Sequence, residues 1–200
     1  MMGSGRHREK RITLARLPSG VEVATTVHRY GPRDGPHVYV QAAQHGREVN
    51  GTAVCRRLHD RLVGTDLRGR VTVVPLVDPL TFDRVSYTTP ESLDSVNANM
   101  NRVWPGDEDG TLHERMAARL WEYAGDADAV VDLHTGSPDM LTHVVYTAGD
   151  EASRRLAQSF GADLLLAEKA GDEAPEELER RRFDGKFGIA AVRERIPAIA

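Results

Sequence analysis

The sequence predicts an α/β domain whose central sheet is mostly parallel and is covered by helices on both faces. Predicted strands alternate with predicted helices along the chain, a pattern typical of such a sheet. Residues 71–77 and 129–133 are rich in β-branched residues, as is usual for strands buried on both faces. The chain has 200 residues, of which 40% are hydrophobic, so it is long enough to bury the core of one domain.

The N-terminal third is predicted as a hairpin, a strand and a helix. Residues 11–17 and 21–27 form the hairpin, because a Pro-Ser-Gly turn joins them. Residues 38–42 are a short apolar run that follows a Gly-Pro pair and predicts the next strand. In residues 49–63 apolar side chains recur at helical spacing, and Gly64 follows as the stop.

The remainder of the chain alternates between strands and helices. A helix is predicted over residues 111–123, because Met116, Leu120 and Trp121 share its apolar side. Residues 196–200 predict the beginning of a last strand. The other predicted strands are 71–77, 129–133 and 143–147, and the other predicted helices are 151–160 and 187–195.

Composition and charge argue against several classes of protein. The net charge of −4, with both signs interspersed, gives no basic face for nucleic acid. No stretch approaches the roughly 18 consecutive apolar residues of a membrane helix, and the N-terminus lacks the apolar core of a signal peptide, so we expect a cytoplasmic protein. Cys55 lies in an apolar helical pattern and is expected to pack in the core. Residues 170–175 are predicted as a polar loop and 179–182 as a solvated helix end.

The segment from His45 to Glu48, His-Gly-Arg-Glu, is a candidate half of a metal site. A histidine followed by a glutamate three positions later is common by chance, so the pair is informative only in the right structural setting. In α/β folds, ligands collect at the carboxyl ends of the strands. His45 follows the predicted 38–42 strand, and Glu48 begins the next helix, so both can face one crevice.

His134 is the candidate third ligand, because it stands at the end of the predicted 129–133 strand. Two histidines and one glutamate, with a fourth position open, are the ligand set of a catalytic zinc site. The water in that position would become a nucleophile as its pKa falls toward about 7. Asp132 lies on the same side of the strand as His134 and is expected to support it or to bind nearby backbone.

Six histidines lie outside the candidate ligand set. The histidines outside this set are expected to be surface or packing residues, although His143 lies near the site in sequence; they are His7, His28, His37, His59, His113 and His143.

Asn101 and Arg102 lie in a loop closed by Pro-Gly. An arginine fork grips carboxylates, so the pair is a candidate for binding an anionic substrate, or else a loop held together by its arginine.

Three segments together resemble the succinylglutamate desuccinylase/aspartoacylase family, a branch of the zinc carboxypeptidase superfamily. They are residues 45–48, residues 101–106 (Asn-Arg-Val-Trp-Pro-Gly) and residues 132–136 (Asp-Leu-His-Thr-Gly). The resemblance implies a three-layer αβα domain with a mixed central sheet. It also implies one Zn²⁺ per chain on His45, Glu48 and His134, and hydrolysis of an amide bond in a small anionic N-acyl amino acid held by Asn101 and Arg102.

The sequence departs from the family pattern at two points. Family members carry an arginine for the oxyanion shortly before the Asn-Arg pair; here Arg84 is the nearest candidate. The proton-transferring glutamate is expected on a late strand, just after Ala200, because Glu194 precedes that strand on a helical pattern and is expected to be a solvated surface residue. We therefore expect residues 1–200 to be a single zinc-hydrolase catalytic domain truncated before its last strands and its C-terminal β-rich part.

Three functions remain open from the sequence. The first is a zinc-dependent deacylase or amidohydrolase acting on N-acyl amino acids. The second is its near neighbour, a zinc carboxypeptidase. The third is a zinc-binding domain that is catalytically incomplete, either as a fragment or as a non-enzymatic descendant.

Overall fold

The fold is built on one eight-stranded sheet. A computed structural model describes residues 7–137, 139–169 and 183–200. The strands are β1 Arg8–Arg16, β2 Glu22–Tyr30, β3 His37–Ala42, β4 Arg70–Val74, β5 Ala129–Leu133, β6 Val144–Thr147, β7 Leu165–Glu168 and β8 Ala198–Ile199. Their order across the sheet is β1-β2-β4-β3-β5-β8-β6-β7.

Helices cover both faces of this sheet and complete three layers. They are α1 Asn50–Leu62, α2 Pro79–Phe82, α3 Leu112–Ala124, α4 Glu151–Phe160 and α5 Phe187–Arg193, with a 3₁₀ turn at Met100–Arg102. Side chains alternate between two cores along the central strands, as a strand requires. Tyr39 of β3 packs in the core that α3 and α5 cover. Its neighbour Val40 packs in the core that α1 and α4 cover.

The sheet is mixed, as the sequence predicted. The central pairs β3 with β4, β3 with β5, and β5 with β8 are parallel, and so is β6 with β7. Antiparallel pairing occurs between β1 and β2, between β2 and β4, and between β6 and β8. Because β3 and β5 are adjacent and parallel, their carboxyl ends meet at one edge of the sheet, where the predicted ligands lie.

Two details differ from the sequence predictions. The strand predicted over residues 71–77 ends at Val74, because the next residue, Pro75, has no N–H for the ladder. Past this point the chain still follows β3, since Val77 N donates to the carbonyl of Ala42. Strand β7 was not predicted; among the described strands it pairs only with β6, and it shows no clear alternation between buried and exposed positions.

Several other predictions concern single elements. Cys55 is buried in the core beneath α1, as expected, and burial raises the pKa of its thiol to about 12. A capping box between Thr111 and Glu114 begins α3. Within the described ranges, every helix is too short or too polar to cross a membrane. The predicted loop at 170–175 and helix end at 179–182 lie outside the described residues.

Candidate metal centre

A tight loop after β3 presents His45 and Glu48. The backbone N–H of Glu48 donates to the carbonyl of His45, 3.0 Å away, which turns the chain toward α1. Gly46 lies against the backbone of Thr81, and a Cβ at this position would lie 1.9 Å from the Thr81 carbonyl oxygen. The second residue of the His-Gly-Arg-Glu segment is therefore restricted to glycine by close packing.

His134 reaches the same place from the neighbouring strand. In the parallel pairing of β3 with β5, Gln41 lies level with Asp132, and Ala42 lies level with Leu133. His134 directly follows the last residue of β5, so it emerges beside the loop that carries His45. The prediction that the two strand ends bring these residues together is confirmed by this register.

The three side chains form a group that could hold a metal ion. One ligand atom from each of His45, Glu48 and His134 lies within 4.8 Å of the other two. His45 Nδ1 is 3.0 Å from Glu48 Oε1, and His134 Nδ1 is 2.8 Å from Glu48 Oε2. His45 and Glu48 are buried, whereas 24% of the His134 side chain is exposed, so the group opens to solvent on the His134 side.

The second nitrogen of each imidazole has its own oxygen acceptor. His134 Nε2 donates to Asp132 Oδ2 over 2.8 Å, and His45 Nε2 donates to Asn99 Oδ1 over 3.1 Å. These acceptors keep a hydrogen on each Nε2 and turn each Nδ1 toward the Glu48 carboxylate. Such partners orient histidine ligands and raise their basicity.

Asp132 is held in turn by a buried polar network. It accepts hydrogen bonds from the side-chain amides of Gln41, at 3.2 Å, and Gln44. Gln41 also accepts from the Tyr39 hydroxyl over 3.0 Å, and Gln44 accepts from Trp104 Nε1 over 2.7 Å. Sequence reasoning anticipated a supporting role for Asp132 but missed the two glutamines. Their signal was two amide side chains in an otherwise apolar segment beside His45.

The electrostatics of the group favour cations. Burial alone would raise the pKa of Glu48, but hydrogen bonds from His134 and His45 outweigh it and lower the pKa to about 2. Burial alone would lower the pKa of His134, but the charge of Asp132 and hydrogen bonds with both carboxylates raise it to about 10. In the absence of a metal ion, a proton on His134 thus supplies the positive charge between Glu48 and Asp132.

Tyr87 and two arginines lie beside the histidines. The Tyr87 ring stacks on the His45 ring with 4.0 Å between centroids, and the Arg47 guanidinium lies 5.0 Å from the Tyr87 centroid. Burial, followed by the charge of Glu48, raises the pKa of Tyr87, whereas Arg102 and Arg47 lower it. The charge of Arg102 thus acts on Tyr87, and the role of Arg102 in binding a substrate stays a prediction.

Asn101 has a structural contact as well. Its side-chain oxygen accepts from the backbone N–H of Phe187 over 2.9 Å and so fixes the beginning of α5. The backbone N–H of Asn101 donates to Asn99 Oδ1, which is also the acceptor of His45. The loop that carries Arg102 is thus linked through Asn99 to His45 of the candidate metal group. The contact of Asn99 with His45 was not predicted from the sequence.

The remaining candidates lie apart from this group. Arg84 is exposed, and its Nη1 donates to the Leu80 carbonyl over 2.9 Å, at the end of its own short helix. Its role at the oxyanion stays a prediction. His143 Nδ1 contacts the Leu141 carbonyl, 2.8 Å away. Glu194 is exposed at the end of α5, as expected for a surface residue.

The donor set fits a borderline divalent cation. Two neutral imidazoles and one carboxylate suit such ions, and a fourth position would remain for water. The two Nδ1 atoms already face opposite oxygens of one carboxylate. Beside them, Thr135 donates its backbone N–H to Glu48 Oε2 over 3.3 Å, and its buried hydroxyl has no partner in the part of the chain described. That hydroxyl could bond a polar ligand next to the group.

Comparison with known proteins identifies the family. The model of the succinylglutamate desuccinylase/aspartoacylase catalytic domain matches residues 34–189, which include all three candidate ligands. The chain belongs to the succinylglutamate desuccinylase/aspartoacylase family. The resemblance read from the three sequence segments is confirmed.

Individual members of the family agree with this assignment. The N-alpha-acetyl-L-2,4-diaminobutyric acid deacetylase of Halomonas elongata is 32% identical over 156 residues, which are 73% of this chain and 43% of the relative. An aspartoacylase family protein of Mesorhizobium loti covers 96% of this chain at a TM-score of 0.77, with 22% identity. The product-bound ectoine utilization protein EutE of Ruegeria pomeroyi covers 99%, with a TM-score of 0.76 and 21% identity.

These family members are longer than the present chain. The chain spans 43% of the length of the Halomonas relative, and 60% and 59% of the two solved structures. The structural likeness establishes the zinc carboxypeptidase-like fold that the sequence predicted.

Proposed function

We propose that this chain is the metal-binding catalytic domain of a zinc-dependent amide hydrolase that removes the acyl group from a small N-acyl amino acid. The observation that carries the proposal is the convergence of His45 Nδ1, His134 Nδ1 and Glu48 at one open group. The hydrogen bonds from each Nε2 to Asn99 and Asp132 support it, because they hold both rings ready to bind a metal ion. Membership of the family adds the reaction class.

Zn²⁺ on these three residues would supply a polarised amide carbonyl and a water whose pKa is lowered toward about 7. Residues of the protein then have to hold the substrate in one orientation. Arg102 would pair with the substrate carboxylate through its planar fork, and Asn101 would fix the loop from which Arg102 reaches. Arg84 is the proposed donor to the oxyanion if its side chain turns away from the Leu80 carbonyl.

The proton-transferring glutamate is proposed to follow Ala200. Strand β8 runs parallel to β5, with Ala198 level with Val130 and Ile199 level with Val131. In this register Ala200 is level with Asp132, and the second position after Ala200 would be level with His134. A glutamate there could accept a proton from the water and later donate it to the leaving amine.

The substrate proposed is an N-acetylated diamino acid such as N-acetyl-L-2,4-diaminobutyrate. The relative from Halomonas is named as a deacetylase of this compound and is 32% identical to the present chain over the aligned residues. The test is release of acetate from this compound by zinc-loaded protein that includes the proposed glutamate, with the metal-free protein as the control. Zinc binding without hydrolysis of any N-acyl amino acid would instead favour a catalytically incomplete zinc-binding domain, and release of a terminal residue from a peptide would favour a carboxypeptidase.

Replacement of Asp132 by asparagine is expected to weaken the affinity of this centre for Zn²⁺ about 10- to 100-fold. The Asp132 carboxylate orients His134 and raises its basicity, and an amide does so less well. Competition with a chelator measures the change. The matched control is Asp163→Asn, an exposed aspartate before β7, which should leave the affinity unchanged. Equal affinities in the two variants would remove Asp132 from the metal centre.

Arg102→Lys is expected to weaken binding of N-acetyl-L-2,4-diaminobutyrate by about 10-fold or more. A charged hydrogen bond contributes roughly 1.5–3 kcal/mol, and lysine cannot form the paired bonds of a guanidinium. Calorimetry on the zinc-loaded chain measures this affinity without requiring turnover. Arg115→Lys, an exposed position on α3, is the control. An unchanged dissociation constant for Arg102→Lys would show that Arg102 only holds its loop together.

A further inference from the structure

A second group of histidines lies at the far end of α1 from the candidate centre. His7 precedes β1, His28 is in β2, and His59 is in the last turn of α1. One ring nitrogen from each lies within 4.8 Å of those of the other two, and all three residues are partly exposed. The sequence predicted only surface or packing roles for them.

The fold brings these residues together through the hairpin. Glu9 pairs with His28 between β1 and β2, so His7 lies next to the end of β2. His28 and Tyr30 are two residues apart on one strand and share the face that α1 covers. The buried Tyr30 hydroxyl is 2.8 Å from His59 Nδ1, and this contact holds the His59 ring against the hairpin.

Ring stacking orders the group further. The His7 ring stacks on Tyr30, with 4.8 Å between centroids, and on His28, with 5.4 Å. His59 meets His7 edge-on at 4.9 Å. The imidazoles are thus held by a buried tyrosine and by one another, which reduces the conformational entropy that a ligand would have to remove.

The spacing matches a shared metal ion. Zinc-to-nitrogen bonds of about 2.0–2.1 Å in a tetrahedral site separate two ligand nitrogens by about 3.3 Å. His7 Nε2 and His28 Nδ1 are 3.2 Å apart. The Glu9 carboxylate, 3.8 Å from His28 Nδ1, stands near enough to add negative charge or a fourth ligand.

We propose that His7, His28 and His59 form a second metal site, which takes a borderline divalent cation such as Zn²⁺, Ni²⁺ or Cu²⁺. Its fourth ligand is water or the Glu9 carboxylate. The bound ion links the N-terminal hairpin to α1 and so stabilises the folded chain. This site is separate from the candidate centre, because the nine helical steps from Asn50 to His59 span about 14 Å.

Metal stoichiometry tests the proposal in the full chain. Titration with Zn²⁺ should give two equivalents for the natural sequence and one each for His59→Ala and His134→Ala. The double variant should bind none, and the control His143→Ala should bind two. These values keep the two sites distinguishable. Loss of the candidate centre leaves the histidine group intact, and loss of the histidine group leaves the candidate centre intact.

A spectroscopic measurement identifies the ligands. Cu²⁺ bound to His134→Ala should show electron paramagnetic resonance splitting from three nitrogens, and His28→Gln should remove it. The same Cu²⁺ should raise the unfolding temperature of His134→Ala but not that of the variant that also carries His28→Gln. The proposal is overturned if His134→Ala binds no stoichiometric metal. It is also overturned if neither the His59 nor the His28 substitution lowers the number of metal ions bound per chain. The three imidazoles would then be a packing cluster only.

Discussion

His134→Ala is expected to lower the affinity of the candidate centre for Zn²⁺ by more than 100-fold. It removes one of three protein ligands, which is a larger change than the 10- to 100-fold effect of losing a residue that only orients a ligand. The Glu48 carboxylate also loses the partner that lies 2.8 Å from its Oε2. Any hydrolysis of the acylated substrate should be lost with the metal.

The measurement is chelator competition in a His59→Ala background, so that only this centre is counted. His143→Ala in the same background is the matched control, because His143 contacts only the nearby Leu141 carbonyl among the described residues. Circular dichroism would establish that both variants fold. If His134→Ala and His143→Ala bind zinc equally well, the ligand assignment is wrong.

His113→Ala is expected to destabilise the folded chain by about 3–5 kcal/mol, the range for breaking a buried charged pair. His113 is fully buried, and its Nε2 is 3.2 Å from Asp78 Oδ2 and 2.9 Å from Thr89 Oγ1. Asp78 also caps α2 by accepting from Leu80 N. Alanine would leave the Asp78 carboxylate buried without its cation.

This stabilisation should depend on pH. Burial alone would lower the pKa of His113, but the hydrogen bond and charge of Asp78 outweigh it and raise the pKa above its ordinary 6.5. The favourable contribution is therefore complete below about pH 6.5 and is lost as the pH rises through the raised folded-state pKa. The difference between the natural chain and His113→Ala should be largest near pH 6 and should shrink in alkaline buffer.

Urea unfolding at several pH values measures both effects. His143→Ala should change the free energy of unfolding by less than about 0.5 kcal/mol at every pH, as a surface substitution. A difference between the natural chain and His113→Ala that stays constant with pH would contradict a cationic His113. A difference below about 1 kcal/mol would show that the network around Asp78 contributes little.

The grouping of the candidate metal ligands could be predicted from sequence because it follows from strand ends. Residues 38–42 and 129–133 were predicted as strands of a mostly parallel sheet, with His45 and His134 after their carboxyl ends, and in the structure these strands are parallel neighbours. Glu48 followed because it lies one turn of chain beyond His45. Local pattern and a general rule of α/β sheets were sufficient for these three residues.

The hydrogen-bond partners of these residues could not be predicted in the same way. Asn99 reaches His45 from a loop whose path depends on packing against α3, and Gln44 is fixed by Trp104, 60 positions away. The grouping of His7, His28 and His59 likewise depends on the position of the hairpin against α1. Contacts of this kind are set by tertiary packing, which leaves no periodic trace in the sequence.

The most direct test of the central claim is a crystal structure of the zinc-soaked chain with anomalous diffraction measured at the zinc edge. We expect an anomalous peak about 2.0–2.2 Å from His45 Nδ1, His134 Nδ1 and a Glu48 carboxylate oxygen. The Nε2 hydrogen bonds to Asn99 and Asp132 should persist in that structure. Zinc-replete crystals without a peak there, with His45 and His134 still paired to Glu48, would contradict the assignment of this group as the metal centre.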